Sequence, residues 1–152
     1  MLSSHRLALP LAAALLLTAA TAGAEPGRGE GWLSGGSRIE EAISGTTHLR
    51  GRTDGGGGEV EYHAADGKVA YLLDGCLWSG RWWAEEDRLC YAYPSLSGET
   101  AHCFYLRDGP AGLEYWSVED PGARQPLAWV KSVLEGNPQE LAMNSGGHCE
   151  DT

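Results

Sequence analysis

Residues 59–73, EVEYHAADGKVAYLL, decide the fold. Two runs with a period of two flank Ala64-Ala65-Asp66-Gly67, and Asp-Gly between alternating runs is the strongest short-range signal for a β-hairpin. In this reading Val60 and Tyr62 point to one side, with Val69, Tyr71 and Leu73 facing the same way across the pair.

The pattern continues outward from the hairpin. LWSGRWW (77–83) is followed by the acidic turn Glu85-Glu86-Asp87, and RLCYAY (88–93) by Pro94-Ser95-Leu96-Ser97-Gly98. TAHCFYL (100–106) turns at Asp108-Gly109-Pro110 into LEYWSV (113–118), which Asp120-Pro121-Gly122 ends. PLAWVKSVLEG (126–136) reads as a helix or an edge strand, with Trp129, Val130 and Val133 favouring a strand. Upstream, Thr46–Arg50 is a strand and residues 52–58 are a flexible, Gly-rich loop. Before it, Ser37 and Glu40 have capping-box spacing for a two-turn helix. That helix would bury Ile39, Ala42 and Ile43 and end at Gly45.

Six or seven short strands with tight turns form an antiparallel meander, and closing on itself removes the exposed edges. The expected fold is all-β: a small meander barrel, calycin-like in plan, with a short N-terminal helix at one end and two disulfides. A two-sheet sandwich is the alternative.

The chain has 152 residues and a net charge of -10, enough for one domain. No Lys/Arg cluster supplies the basic footprint that nucleic acid requires. Glycine, at 22 residues, has about twice its usual share, as many tight turns would demand.

Residues 1–24 read as a signal peptide: Arg6, an apolar run from Leu7 to Leu17, and Ala22-Gly23-Ala24 as a cleavage site. The apolar run is shorter than the roughly 20 residues of a bilayer span. Removing 24 residues, Arg6 among them, would leave 128 with a net charge of -11. The expected layout is then a flexible segment over 25–36, the barrel over 37–138 and a tail over 139–152, in a protein delivered to the periplasm and not membrane-spanning after cleavage.

Cys76, Cys90, Cys103 and Cys149 all lie in the exported part, and an even count there is read first as disulfides. A turn centred on Leu96-Ser97 puts Cys90 opposite Cys103, close enough to bridge, which leaves Cys76 for Cys149. No C-x₂-C spacing supports zinc, so neither a metal nor a cofactor is expected. His148 and Cys149 could hold a soft metal only with Cys149 reduced. Glu85, Glu86 and Asp87 read as a solvated charge run.

A three-residue turn centred on Glu86 would place Trp82 opposite Cys90, Trp83 opposite Leu89 and Arg81 opposite Tyr91. Trp83, Leu89, Tyr91, Tyr93, Phe104 and Leu106 then form the inner face, with Arg81 and His102 beside Tyr91. Buried arginine needs a partner or a wet cavity. The candidate ligand site is therefore Arg81 for an anionic group, Tyr91 and His102 as hydrogen-bond donors and Trp83 as an apolar wall. Nucleophile, metalloprotease, phosphate-loop and dinucleotide motifs are missing, and His48 and His63 define no constellation.

The order Ile39…Gly45, Leu49-x-Gly51, Tyr62…Asp66-Gly67-Lys68, Gly80-x-Trp82, Cys90 and Cys103 resembles small exported proteobacterial proteins gathered as "domain of unknown function 995". The resemblance spans residues 37–138. It implies periplasmic export, a compact β domain and a Cys90–Cys103 bridge, and supplies no catalytic residues. The expected function is non-catalytic binding of a small apolar or anionic ligand in the barrel. The alternative is an interaction module, an inhibitor or accessory subunit, whose acidic surface meets a basic periplasmic protein.

Overall fold

The structure is a computed structural model describing residues 29–53, 55, 58–143 and 147–149. The signal-peptide reading of 1–24 lies outside these residues. Helix α1 (Gly36–Ile43) precedes strands β1 (Thr46–Arg52), β2 (Glu59–His63), β3 (Lys68–Leu73), β4 (Cys76–Glu85) and β5 (Arg88–Ala92). A single helical turn, α2 (Pro94–Ser97), replaces the turn expected there. Strands β6 (His102–Gly109), β7 (Gly112–Ser117), β8 (Ala128–Glu135) and the two-residue β9 (His148–Cys149) follow.

Each strand from β1 to β8 pairs antiparallel with the next, and β8 pairs back onto β1, so eight strands close into a barrel. β8 is therefore an interior strand, and its pairing with β1 shifts register at Leu49/Arg50. The expected hairpin is present, with Val60 opposite Leu72 and His63 opposite Val69. No helix among the described residues is long and apolar enough to cross a membrane.

Helix α1 covers the barrel end where β1 begins and β8 finishes. Gly45 N–H bonds the His63 carbonyl, Gly136 N–H bonds the Gly45 carbonyl, and Ile39 and Ile43 are fully buried. Ala42, expected beside them, is exposed. The helix also starts differently from the capping-box reading. Gly35 is the N-cap and Ser37 lies within the first turn. Gly35 N–H instead donates to the Asp87 carboxylate at 2.7 Å, so the acidic turn anchors the helix. Glu85 and Glu86 each lie within 4 Å of the Arg88 guanidinium.

Both ends of the domain are more ordered than expected. Trp32 bridges Arg107 and Leu33 is buried, so the ordered part begins inside the segment read as flexible. In the tail Leu141 is buried; its carbonyl accepts from the Asn137 side-chain amide and its N–H donates to Asn137 Oδ1. Both expected disulfides are present: Cys90–Cys103 joins neighbouring strands, and Cys76–Cys149 pins β9 to β4. With Cys149 oxidised, the tail has no thiolate for a soft metal.

The β4–β5 register corrects the sequence reading. A two-residue turn, Glu86-Asp87, sets Arg81 opposite Ala92, Trp82 opposite Tyr91 and Trp83 opposite Cys90. Glu86 takes a left-handed φ of 54° to make it. One residue of slip exchanges the faces of a strand. Trp82 is consequently inside and Arg81 and Trp83 outside, where the guanidinium lies 5.3 Å from the Trp83 ring. The β5–β6 register is as expected, with Cys90 opposite Cys103 and Tyr91 opposite His102.

Candidate functional site

The second correction concerns β2. Its apolar residues Val60 and Tyr62 are only half-buried, whereas Glu59, Glu61 and His63 are buried. β1 alternates likewise, with Thr46 opposite His63, His48 opposite Glu61 and Arg50 opposite Glu59. These two strands carry a charged stripe into the barrel, met by Tyr71 of the neighbouring β3, Tyr91 of β5, Tyr93 just after it and Tyr115 of β7.

At the centre is Arg50. Its Nη2 lies 3.2 Å from both Glu59 Oε2 and Glu61 Oε1, and its guanidinium sits 5.1 Å from the Tyr71 ring centre and 4.9 Å from that of Tyr115. Burial alone would lower its pKa, but Glu61 first and the surrounding groups outweigh this and raise it well above the ordinary value. Burial would likewise raise the Glu61 pKa. Arg50, His63 and Tyr93 outweigh it and hold that carboxyl at about 2.

Behind this cluster, hydrogen bonds can be assigned a direction. The Thr46 hydroxyl donates its one proton to the Ile43 carbonyl at 2.6 Å, so its oxygen accepts from His48 Nε2 at 3.1 Å. His48 stays neutral, its pKa lowered to about 3 by burial first and the neighbouring His63 second. Its Nδ1 is thus an acceptor, and takes the Tyr115 hydroxyl proton at 2.9 Å. Tyr91, 3.2 Å from Tyr115, must then donate to it, and the Tyr91 oxygen accepts from His63 Nε2 at 2.9 Å. The same His63 nitrogen lies 3.1 Å from Glu61 Oε2. Tyr93 donates to Glu61 and Tyr71 is hydrogen-bonded to Glu59. Burial, foremost, raises the pKa of all four phenols, so each stays protonated.

A cavity of about 530 Å³ lies over this network. Tyr71, Tyr91, Tyr93, Phe104 and Tyr115 form its walls, and Arg50, Glu59 and Glu61 its polar floor. It opens at the end opposite α1, where Arg52, Leu96, His102 and Leu127 rim the mouth. Leu96 and Leu127 are the exposed leucines there. The volume is within the range of small-molecule sites.

Of the four residues expected to bind ligand, Tyr91 and His102 line this cavity together, while Arg81 and Trp83 lie outside the barrel. The guanidinium in the lumen is that of Arg50, not Arg81. Sequence reasoning passed over Arg50, Glu59, Glu61, His48 and His63. The signal available was charge complementarity: H-x-R on one strand and E-x-E-x-H on the next match only when both face the same side. No family profile, characterised protein or solved structure matches the chain, so the site is read from its geometry.

Proposed function

We propose that this protein is a non-catalytic binding protein of the periplasm that holds one small, largely apolar ligand in its barrel. The observation that carries this reading is the aromatic-walled cavity, stoppered by α1 at one end and open at the other. The two disulfides support an oxidising compartment. Of the two ligand classes considered, the apolar one is favoured. An anion would need an uncommitted cation, and Arg50 already faces two carboxylates.

Native mass spectrometry of the protein purified from its own periplasm tests this. One small molecule per chain is expected, lost on acid unfolding. Ala128 is buried and lines the cavity, so Ala128→Trp should fill the space and abolish the extra mass while the far-UV spectrum is retained. A stoichiometric partner protein with no small molecule would replace this reading with that of an interaction module.

A further inference from the structure

We propose that the lumen takes a planar ligand that leads with an N–H donor, such as an aromatic amine or amino-substituted heterocycle, and rejects one that leads with an anion. The proposal rests on the lumen being a binding site, as argued above, and adds the chemical class and orientation of the ligand.

It comes from following each proton. The four hydroxyl groups that a ligand would meet on the walls have already committed their hydrogens: Tyr93 to Glu61, Tyr71 to Glu59, Tyr91 to Tyr115 and Tyr115 to His48. The guanidinium turns one nitrogen to both carboxylates. Three buried side-chain groups able to donate have no partner among the described residues; Arg107 Nε does not line the cavity, whereas Arg50 Nε and the Ser97 hydroxyl belong to residues that do. Arg50 Nε is part of the guanidinium held over two tyrosine rings, and the Ser97 hydroxyl lies at the mouth on α2. Arg50 Nε is itself closed to solvent and out of a ligand's reach. What the floor offers is therefore the lone pairs left on Glu59, which also meets Arg52, on Glu61, which also meets His63, and on the phenolic oxygens of Tyr71 and Tyr93. A buried acceptor rewards a donor, and an approaching carboxylate or phosphate would meet two carboxylates.

The walls select shape. Tyr91 and Tyr93 lie nearly parallel, 12° apart with ring centres separated by 6.0 Å, and Phe104 stands edge-on to Tyr91. A flat ligand fits against such faces. Leu96 and Leu127 at the rim then cover its apolar end, so the polar group goes in first.

Three shape-matched probes separate the outcomes: aminonaphthalene, methylnaphthalene and naphthoate, titrated into the purified oxidised chain by calorimetry or ligand-observed NMR. Aminonaphthalene should bind roughly tenfold or more tighter than methylnaphthalene, and naphthoate should not bind measurably. Equal binding of the amine and the hydrocarbon would overturn the donor requirement and leave the binding site standing. Preference for naphthoate would overturn it as well. Failure of all three would remove both readings. In Glu59→Gln, whose amide adds a donor to the floor, the preference for the amine should shrink. If that variant does not fold, the wild-type series decides alone.

Discussion

The Arg50 guanidinium lies 3.2 Å from the Glu61 carboxylate inside the barrel, between the rings of Tyr71 and Tyr115. Glu59 and Glu61 are both buried, and Arg50 outweighs the burial that would otherwise raise the Glu61 pKa. Arg50→Met should therefore cost about 3–5 kcal/mol, the penalty for stranding a buried charge. Restoring neutrality with Glu59→Gln and Glu61→Gln in the same chain should recover part of it. Urea unfolding of the single and triple variants measures both. A loss below about 1 kcal/mol for Arg50→Met would mean that the carboxylates reach water.

The two disulfides close loops of different length, with sequence separations of 13 for Cys90–Cys103 and 73 for Cys76–Cys149. Loop-closure entropy assigns about 3 kcal/mol to the first and about 4 kcal/mol to the second. Cys76→Ser/Cys149→Ser should thus lower stability by at least as much as Cys90→Ser/Cys103→Ser. Thiol titration of the denatured, unreduced protein should find no reactive thiol. More than one per chain would contradict the double bridge.

The barrel was legible in the sequence because turns punctuate it: Asp66-Gly67 makes the β2–β3 hairpin and Cys90 opposite Cys103 sets one register. The inner face of β5 and β6 was legible, with Leu89, Tyr91, Tyr93, Phe104 and Leu106 inside as read, but that of β2 and β4 was not. Alternation reports only which face is greasier, and in β2 the greasier face, Val60 and Tyr62, is the outer one. Its polar face is stable inside because Arg50, His48 and the tyrosines compensate it. Arg50 and His48 come from the adjacent strand β1, but much of the rest of that compensation comes from strands distant in sequence: Glu61 and Tyr93 are 32 residues apart. In β4 the error was a single residue of turn length, enough to send Arg81 outward in place of Trp82.

That exchange of faces separates two substitutions. Arg81 is mostly exposed and faces Glu99 at 3.7 Å, so Arg81→Ala should change stability by no more than about 0.5 kcal/mol and leave ligand retention unchanged. Tyr91→Phe removes the hydroxyl that joins Tyr115 to His63 and orphans buried partners. It should cost about 1–3 kcal/mol and weaken retention. Thermal melts and the native mass of the two variants decide. A larger effect for Arg81→Ala would restore the discarded register.

Acid should unfold this protein in two overlapping stages. His48 has its pKa lowered by burial from 6.5 to about 3, so below pH 6.5 the unfolded chain takes up a proton that the folded chain refuses. Stability therefore falls as pH drops from 6.5 toward 3. Glu61 is held by Arg50, against its burial, at about 2 instead of 4.5. Its contribution is fully present above 4.5 and is lost as pH falls toward 2. Between pH 6.5 and 4.5 the linkage from His48 is on the order of 3 kcal/mol. Urea midpoints at the two ends of that interval measure it, and His48→Gln should flatten the slope there whatever it does to the absolute stability. A wild-type midpoint that does not move across the interval would mean that His48 carries its proton inside the barrel, and the hydrogen-bond directions running from His48 Nδ1 through Tyr115 to Tyr91 would have to be reversed.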